Sequence, residues 1–130
     1  MKFTKGYKFQ IEEAFSVQTT IYPQEYIDTW DIRLESDGVL TLKVGFAWDG
    51  ASGPTIDTKS TMIPSAAHDA LYKLMRREFL PIVFRKGVDQ FFHDHLIKEG
   101  MWRLRAWYWY RGVRLGGGPS AKKRRKVYEV

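Results

Sequence analysis

The most reactive grouping in the sequence is His68-Asp69-Ala70-Leu71-Tyr72. On a helix, His68 and Tyr72 stand one above the other, because residues four apart share a face. Asp69 points about 100° round the axis, toward a different neighbour. An imidazole next to a carboxylate offers a general base and a hard-cation ligand within one turn. Asp89 lies on the next helical stretch. If the two helices pack antiparallel, Asp89 reaches His68 and orients its ring, which is the base–orienter half of a catalytic constellation. His68, Asp89 and Tyr72 are therefore the candidate catalytic residues. The segment before them supplies Asp49, Gly50, Ser52, Gly53 and Asp57. Gly-rich backbone can turn carbonyls toward a cation or N–H groups toward an anion. Asp69 with the carbonyls around Gly50 and Gly53 is the candidate metal site, and calcium is the ion such oxygens would take. No other cofactor is indicated. The same residues also read as a buried polar network that fixes helix packing. His93 and His95 flank Asp94, but alternate helix positions point about 200° apart, so they cannot share one ion. His93 is expected at the surface and His95 in an apolar stripe. Cysteine is absent, which excludes thiolate nucleophiles, thiolate zinc sites and disulfides.

A second grouping interleaves rings with guanidinium groups: Trp102, Arg103, Arg105, Trp107, Trp109 and Arg111. Arginine with aromatics suits a protein interface or nucleic acid bound by phosphate contact and stacking. It equally describes a core helix with snorkelling arginines. Beyond it runs Lys122, Lys123, Arg124, Arg125 and Lys126, a polyanion-binding pattern whose plainer reading is a solvated tail. Charge is unevenly spread. Nine of the 21 Lys and Arg lie after residue 100, against one of the 15 acids, so the formal +6 comes from the C-terminal end. Such a surface should meet an acidic protein groove or nucleic acid.

The elements that must position these residues fall into two halves. Tyr7–Ile11 and Phe15–Ile21 carry alternating aromatic, β-branched and polar residues, the strand period. Trp30–Glu35 and Val39–Val44 flank Ser36-Asp37-Gly38, and Asp37-Gly38 favours the positive φ of a tight hairpin turn. Gly45–Ser60 reads as a loop by composition, near the length limit for a structureless connection. The period then becomes helical. Pro64 suits a first helical turn. Ala67, Leu71, Leu74 and Met75 share a face, and Lys73, Arg76 and Arg77 suit the negative end of the helix dipole. Pro81 breaks the chain. A second helix is expected over about Gly87–Glu99, with Val88, Phe91, Phe92, His95 and Leu96 as its stripe and Gly100 as its cap. A third is expected over Met101–Arg114, stopped by Gly116-Gly117-Gly118-Pro119. The expected fold is α+β: an N-terminal antiparallel β unit, a long Gly/Asp loop, and a C-terminal helical half with an antiparallel helix pair. Residues 1–118 form one domain and residues 119–130 a basic tail. With 130 residues and 44% hydrophobic content the chain supports its own core. Aromatics at 15% are more than one small core hides, so some should line a groove or partner surface. No apolar run is long enough for a transmembrane helix, and the first residues lack the apolar core of a signal peptide.

Several pieces occur in a familiar order: Gly45-Phe46-Ala47-Trp48-Asp49-Gly50-Ala51-Ser52-Gly53-Pro54, His68-Asp69-Ala70-Leu71-Tyr72, Val88-Asp89-Gln90-Phe91-Phe92, and Tyr110-Arg111-Gly112-Val113-Arg114-Leu115-Gly116-Gly117. From about Gly45 to Gly118 the chain resembles a phage- and prophage-borne family, the domain-of-unknown-function family numbered thirteen fifty-three. That resemblance implies a phage setting: other phage proteins as partners, and residence in the host cytoplasm during assembly and then in the virion. The His-Asp-x-x-Tyr motif with a later Asp also resembles the secretory and parvovirus-type phospholipases. By that resemblance His68 activates water, Asp69 and loop carbonyls hold calcium, and Asp89 with Tyr72 orients His68. The chain departs from those enzymes in lacking cysteines and Gly-x-Gly spacing in the loop, and in having a β half. The expected function is a virion or assembly component that docks through its basic aromatic C-terminus. A calcium-dependent phospholipase-like hydrolase is the alternative, and a nucleic-acid-binding module the third reading.

Overall fold

Alternating patterns in the first half become two small antiparallel sheets. The structure, a computed structural model, describes residues 2–4, 9–48 and 59–117. One sheet has the order β1-β2-β7, built from β1 (Lys2–Thr4), β2 (Phe9–Glu13) and β7 (Ala47–Trp48). The other has the order β3-β6-β5-β4, from β3 (Phe15–Gln18), β4 (Ile27–Asp28), β5 (Ile32–Leu34) and β6 (Val39–Leu42). The period of two sends Ile32, Leu34, Leu40 and Leu42 to the buried face, each almost wholly inaccessible.

The expected hairpin joins β5 and β6, with Arg33 opposite Thr41. Gly38 adopts φ 90°, and its N–H donates to Glu35 O at 2.9 Å. A Cβ there would lie 2.6 Å from Thr19 O, so both the dihedral and the space require glycine.

The segment expected to be loop from Gly45 onward is shorter than its composition implied. Ala47–Trp48 pairs with β2, with Phe9 opposite Trp48. Phe46 and Trp48 are buried, with ring centroids 6.0 Å apart. Two apolar rings at strand spacing outweigh the neighbouring glycines. Gly50 and Gly53 lie outside the described residues, as does the basic run 122–126.

Three helices follow: α1 (Lys59–Arg76), α2 (Arg85–Lys98) and α3 (Arg103–Gly116), with a single 3₁₀ turn at Ile82–Phe84 before α2. α1 starts earlier than the proline suggested. Pro64 lies inside the helix and is buried, where it removes one rung of the ladder instead of marking the first turn. α1 ends on Glu78 at φ 66°, with Phe79 N–H donating to Leu74 O at 2.9 Å. α2 ends as the sequence implied. Gly100 has φ 102°, and Met101 N–H closes on Leu96 O at 2.9 Å.

α1 packs against β6 and β7 and against α2. Its Ala66, Ala67, Ala70, Leu71, Leu74 and Met75 join the strand residues in one continuous core that reaches Val88 and Phe91 of α2. Phe92, Leu96, Met101 and Ala106 form a second cluster between α2 and α3, with Trp109 and Val113 against it. Asp31 ties the sheet to α1. It is buried and takes two bonds from Arg77, Nη1 to Oδ1 at 2.8 Å and Nη2 to Oδ2 at 3.0 Å. This fork-on-fork geometry is the strong form of a charge pair. Among the described residues no helix is long and apolar enough to cross a membrane.

Candidate functional site

The side chains at 68 and 72 share the face of α1 that meets α2, and their ring centroids lie 4.2 Å apart. α2 runs antiparallel to α1: His68 meets Asp89 and Phe92, whereas Tyr72, one turn on, meets Asp89 and Arg85. α3 runs antiparallel to α2 in turn, bringing Arg114 to Asp89 and Tyr110 to His93. Asp89 is fully buried where the three helices meet. His68 Nε2 lies 2.8 Å from Asp89 Oδ1 and Tyr72 OH donates to the same oxygen at 2.5 Å. Arg114 Nη1 donates to Oδ2 at 3.0 Å, and Arg85 Nε stands 4.0 Å from it. Arg85 also donates to Tyr72 OH at 3.2 Å and to the carbonyls of Val113 and Arg114, at 3.0 and 2.9 Å. It thereby satisfies the open end of α3.

Protonation states follow from this geometry. Burial works to raise the Asp89 pKa, but hydrogen bonds from His68, Tyr72 and Arg114 overcome it and hold the carboxyl below its ordinary range. Burial, then the bond to Asp89, pushes the Tyr72 phenol well above its ordinary value, so it stays a donor. An ionised carboxylate only accepts, so Nε2 of His68 carries a proton, and the neutral tautomer this selects has its lone pair on Nδ1. Nδ1 makes no hydrogen bond among the described residues, and the His68 side chain retains 13% of its surface. Phe92 covers one side of the ring at 4.6 Å. The structure thus brings His68, Tyr72 and Asp89 together, as their spacing predicted. The sequence reading did not single out Arg85 and Arg114 for this site. Arg114 was within reach of it, inside the Tyr110–Gly117 motif.

Asp69 faces elsewhere. Its Oδ2 is buried, accepts no hydrogen bond among the described residues, and lies 3.5 Å from Lys73 Nζ. Burial raises the Asp69 pKa, opposed by Lys73 and Arg76. Lys73 is pushed down by burial, opposed chiefly by Asp69. Its ammonium also donates to Ala47 O and sits 4.7 Å from the Phe46 ring centre. A calcium ion at Asp69 would need six or more oxygens at about 2.3–2.6 Å. Among the described residues Asp69 Oδ2 and the Ala47 carbonyl are both met by the Lys73 ammonium; the carbonyls of Gly50 and Gly53, the other members of the expected calcium site, lie outside the described residues. Among the described residues no group of three or more His, Asp or Glu could hold a metal.

The aromatic stretch divides. Trp109 turns inward and meets Phe92 edge-on at 6.1 Å. Trp102, Leu104, Trp107, Tyr108 and Leu115 are exposed, as are Arg103, Arg105 and Arg111. Arg111 lies over the Trp107 ring at 5.6 Å. His93 is at the surface, 2.9 Å from Asp94, and His95 is buried in the stripe, both as expected. A groove of about 740 Å³ lies between the 22–28 segment and Phe79, Pro81 and Phe84, but none of the cluster residues lines it. No protein-family model, curated protein or solved structure matches the chain.

Proposed function

We propose that the chain is an ester hydrolase with His68 as its general base. The observation that carries this reading is the 2.8 Å bond from His68 Nε2 to a buried, ionised Asp89. It leaves Nδ1 as a base of fixed direction. Nδ1 takes a proton from water while the water oxygen forms a bond to the ester carbonyl carbon. The imidazolium that forms is stabilised by Asp89, which Tyr72 and Arg114 hold in place. Collapse of the tetrahedral adduct breaks the bond to the alkoxide, which leaves with the proton from Nδ1. The His-Asp-x-x-Tyr motif of the phospholipases supports the same roles. The test uses short acyl esters and phospholipid vesicles with the purified chain. Replacing His68 with Asn should lower the rate by at least about a hundredfold, the usual contribution of a general base. Absence of hydrolysis in the parent, or an equal rate in the variant, refutes the reading.

A second reading rests on a different observation, the exposed rings of α3. Trp102, Trp107 and Tyr108 stand on solvent beside Arg103, Arg105 and Arg111. Large rings with arginines are the usual anchors of a protein interface. With the phage-family resemblance, this face supports a virion or assembly component that docks on another phage protein. The same chemistry would take nucleic acid. The two partners differ in salt response, because phosphate binding weakens steeply with salt and apolar burial does not. Replacing Trp107 with Ala should abolish incorporation into particles if the docking reading holds.

A further inference from the structure

The groove of about 740 Å³ beside β4 is aromatic and acidic, in a chain whose formal charge is +6. Tyr22, Tyr26, Phe79 and Phe84 line it together with two carboxylates, Glu25 and Asp28, and among the described residues no base lines it. Tyr22, Tyr26 and Phe79 each leave more than half of their surface exposed. Asp28 is met by Lys43 at 2.6 Å, whereas Glu25 is exposed and enters no ion pair among the described residues. Such a lining repels anions. Guanidinium and ammonium groups suit it twice, through its carboxylates and through its ring faces. One ring already holds such a group: the Arg33 guanidinium carbon lies 5.5 Å from the centre of the Tyr26 ring.

α3 ends beside this groove. Gly117 N–H and Arg85 Nη2 both donate to Val113 O, at 2.8 and 3.0 Å. Arg85 directly follows Phe84 of the groove wall. The run Lys122, Lys123, Arg124, Arg125 and Lys126 begins five residues after Gly117. The nine residues from Gly117 to Lys126 reach up to about 30 Å. A source of guanidinium and ammonium groups is thus tethered within range of a lining that suits them.

We propose that the groove binds the chain's own basic run, Lys122–Lys126. Arginines meet the exposed rings and a lysine pairs with Glu25. A partner tethered at this range acts at about millimolar effective concentration, so an affinity of about 100 µM fills the groove about nine-tenths of the time. None of the residues around Asp89 lines the groove, so this binding is independent of ester hydrolysis.

The experiment follows fluorescence polarisation of a labelled synthetic peptide, Pro119–Val130, added to the intact chain. One variant neutralises the run with Lys122→Gln, Lys123→Gln, Arg124→Gln, Arg125→Gln and Lys126→Gln, which leaves the groove open. This chain should bind the peptide at about 100 µM, and the parent about tenfold more weakly, because its own run competes. In the neutralised chain, Glu25→Gln should weaken the peptide about threefold and Tyr26→Ala about fivefold. Both side chains are exposed, and near-UV circular dichroism verifies native packing. No binding to the neutralised chain, equal affinity in parent and neutralised chains, or an affinity untouched by both groove substitutions overturns the proposal. Sedimentation equilibrium of the parent should give a monomer. A dimer that dissociates on neutralising the run also overturns the proposal, because the groove then takes the run of a second copy.

Discussion

Replacing Asp89 with Asn keeps the side chain's size and removes its charge, where three helices depend on that charge. His68 Nε2, Tyr72 OH and Arg114 Nη1 converge on its two oxygens at 2.8, 2.5 and 3.0 Å. An amide has one accepting oxygen and one donating nitrogen. If its oxygen serves His68 and Tyr72, its NH₂ faces the Arg114 guanidinium, donor against donor. A hydrogen bond to a charged group contributes about 1.5–3 kcal/mol, and breaking a buried ion pair by removing one partner costs about 3–5 kcal/mol. Arg114 keeps 31% of its side-chain surface, so it can turn part of its charge to water, and a value near 3 kcal/mol is expected. For 130 residues the unfolding entropy converts 1 kcal/mol to about 4 °C, so the transition should fall by about 10 °C. Urea unfolding followed by circular dichroism measures the loss, with Arg114→Met and the double variant completing a cycle. The double variant should lose at least about 1 kcal/mol less than the sum of the singles, because it no longer buries an opposed donor. A loss under about 1 kcal/mol for Asp89→Asn, or additivity within about 0.5 kcal/mol, would show that Asp89 is not the joint of the three helices.

Two further outcomes test the surroundings of that joint. Gly117 has an ordinary φ of −83°, yet a Cβ there would lie 2.5 Å from Val113 O and 2.9 Å from Tyr72 OH. Gly117→Ala should therefore cost about 1–3 kcal/mol by overpacking in a thermal scan, and a neutral result would mean that the end of α3 is not seated on Tyr72. Burial pushes the His95 imidazole below its ordinary 6.5, against Glu99, 3.5 Å away. A depressed folded value means that the unfolded chain takes up the proton first, so stability present above about pH 6.5 is lost as pH falls through the folded value. The parent's melting temperature should fall between about pH 7 and pH 5, and His95→Leu should flatten that slope; equal slopes refute the assignment.

What the sequence made legible is what one element, or two adjacent ones, can decide. His68 and Tyr72 share a face because helical spacing fixes it, and Asp89 reaches them because a short connection forces α2 back along α1. Asp37-Gly38 dictates its turn, and Gly100 ends α2, through conformations that glycine favours. α1 ends in the same left-handed conformation at Glu78, where no glycine advertises it. Its start was misread because Pro64 marks a first turn far more often than an interior. Pairs between distant elements were not legible: Asp31 with Arg77, Asp89 with Arg114, β2 with β7. No local pattern encodes them, and each becomes specific only once the core has set the register. Lys73 joins the two kinds of reading. Local reasoning assigns it to the helix dipole, and its position in the last turn agrees. β7 changes that assignment by presenting the Ala47 carbonyl and the Phe46 ring to the same amine. The composition that hid a two-residue strand among glycines therefore also hid the role of a lysine on the helix beside it.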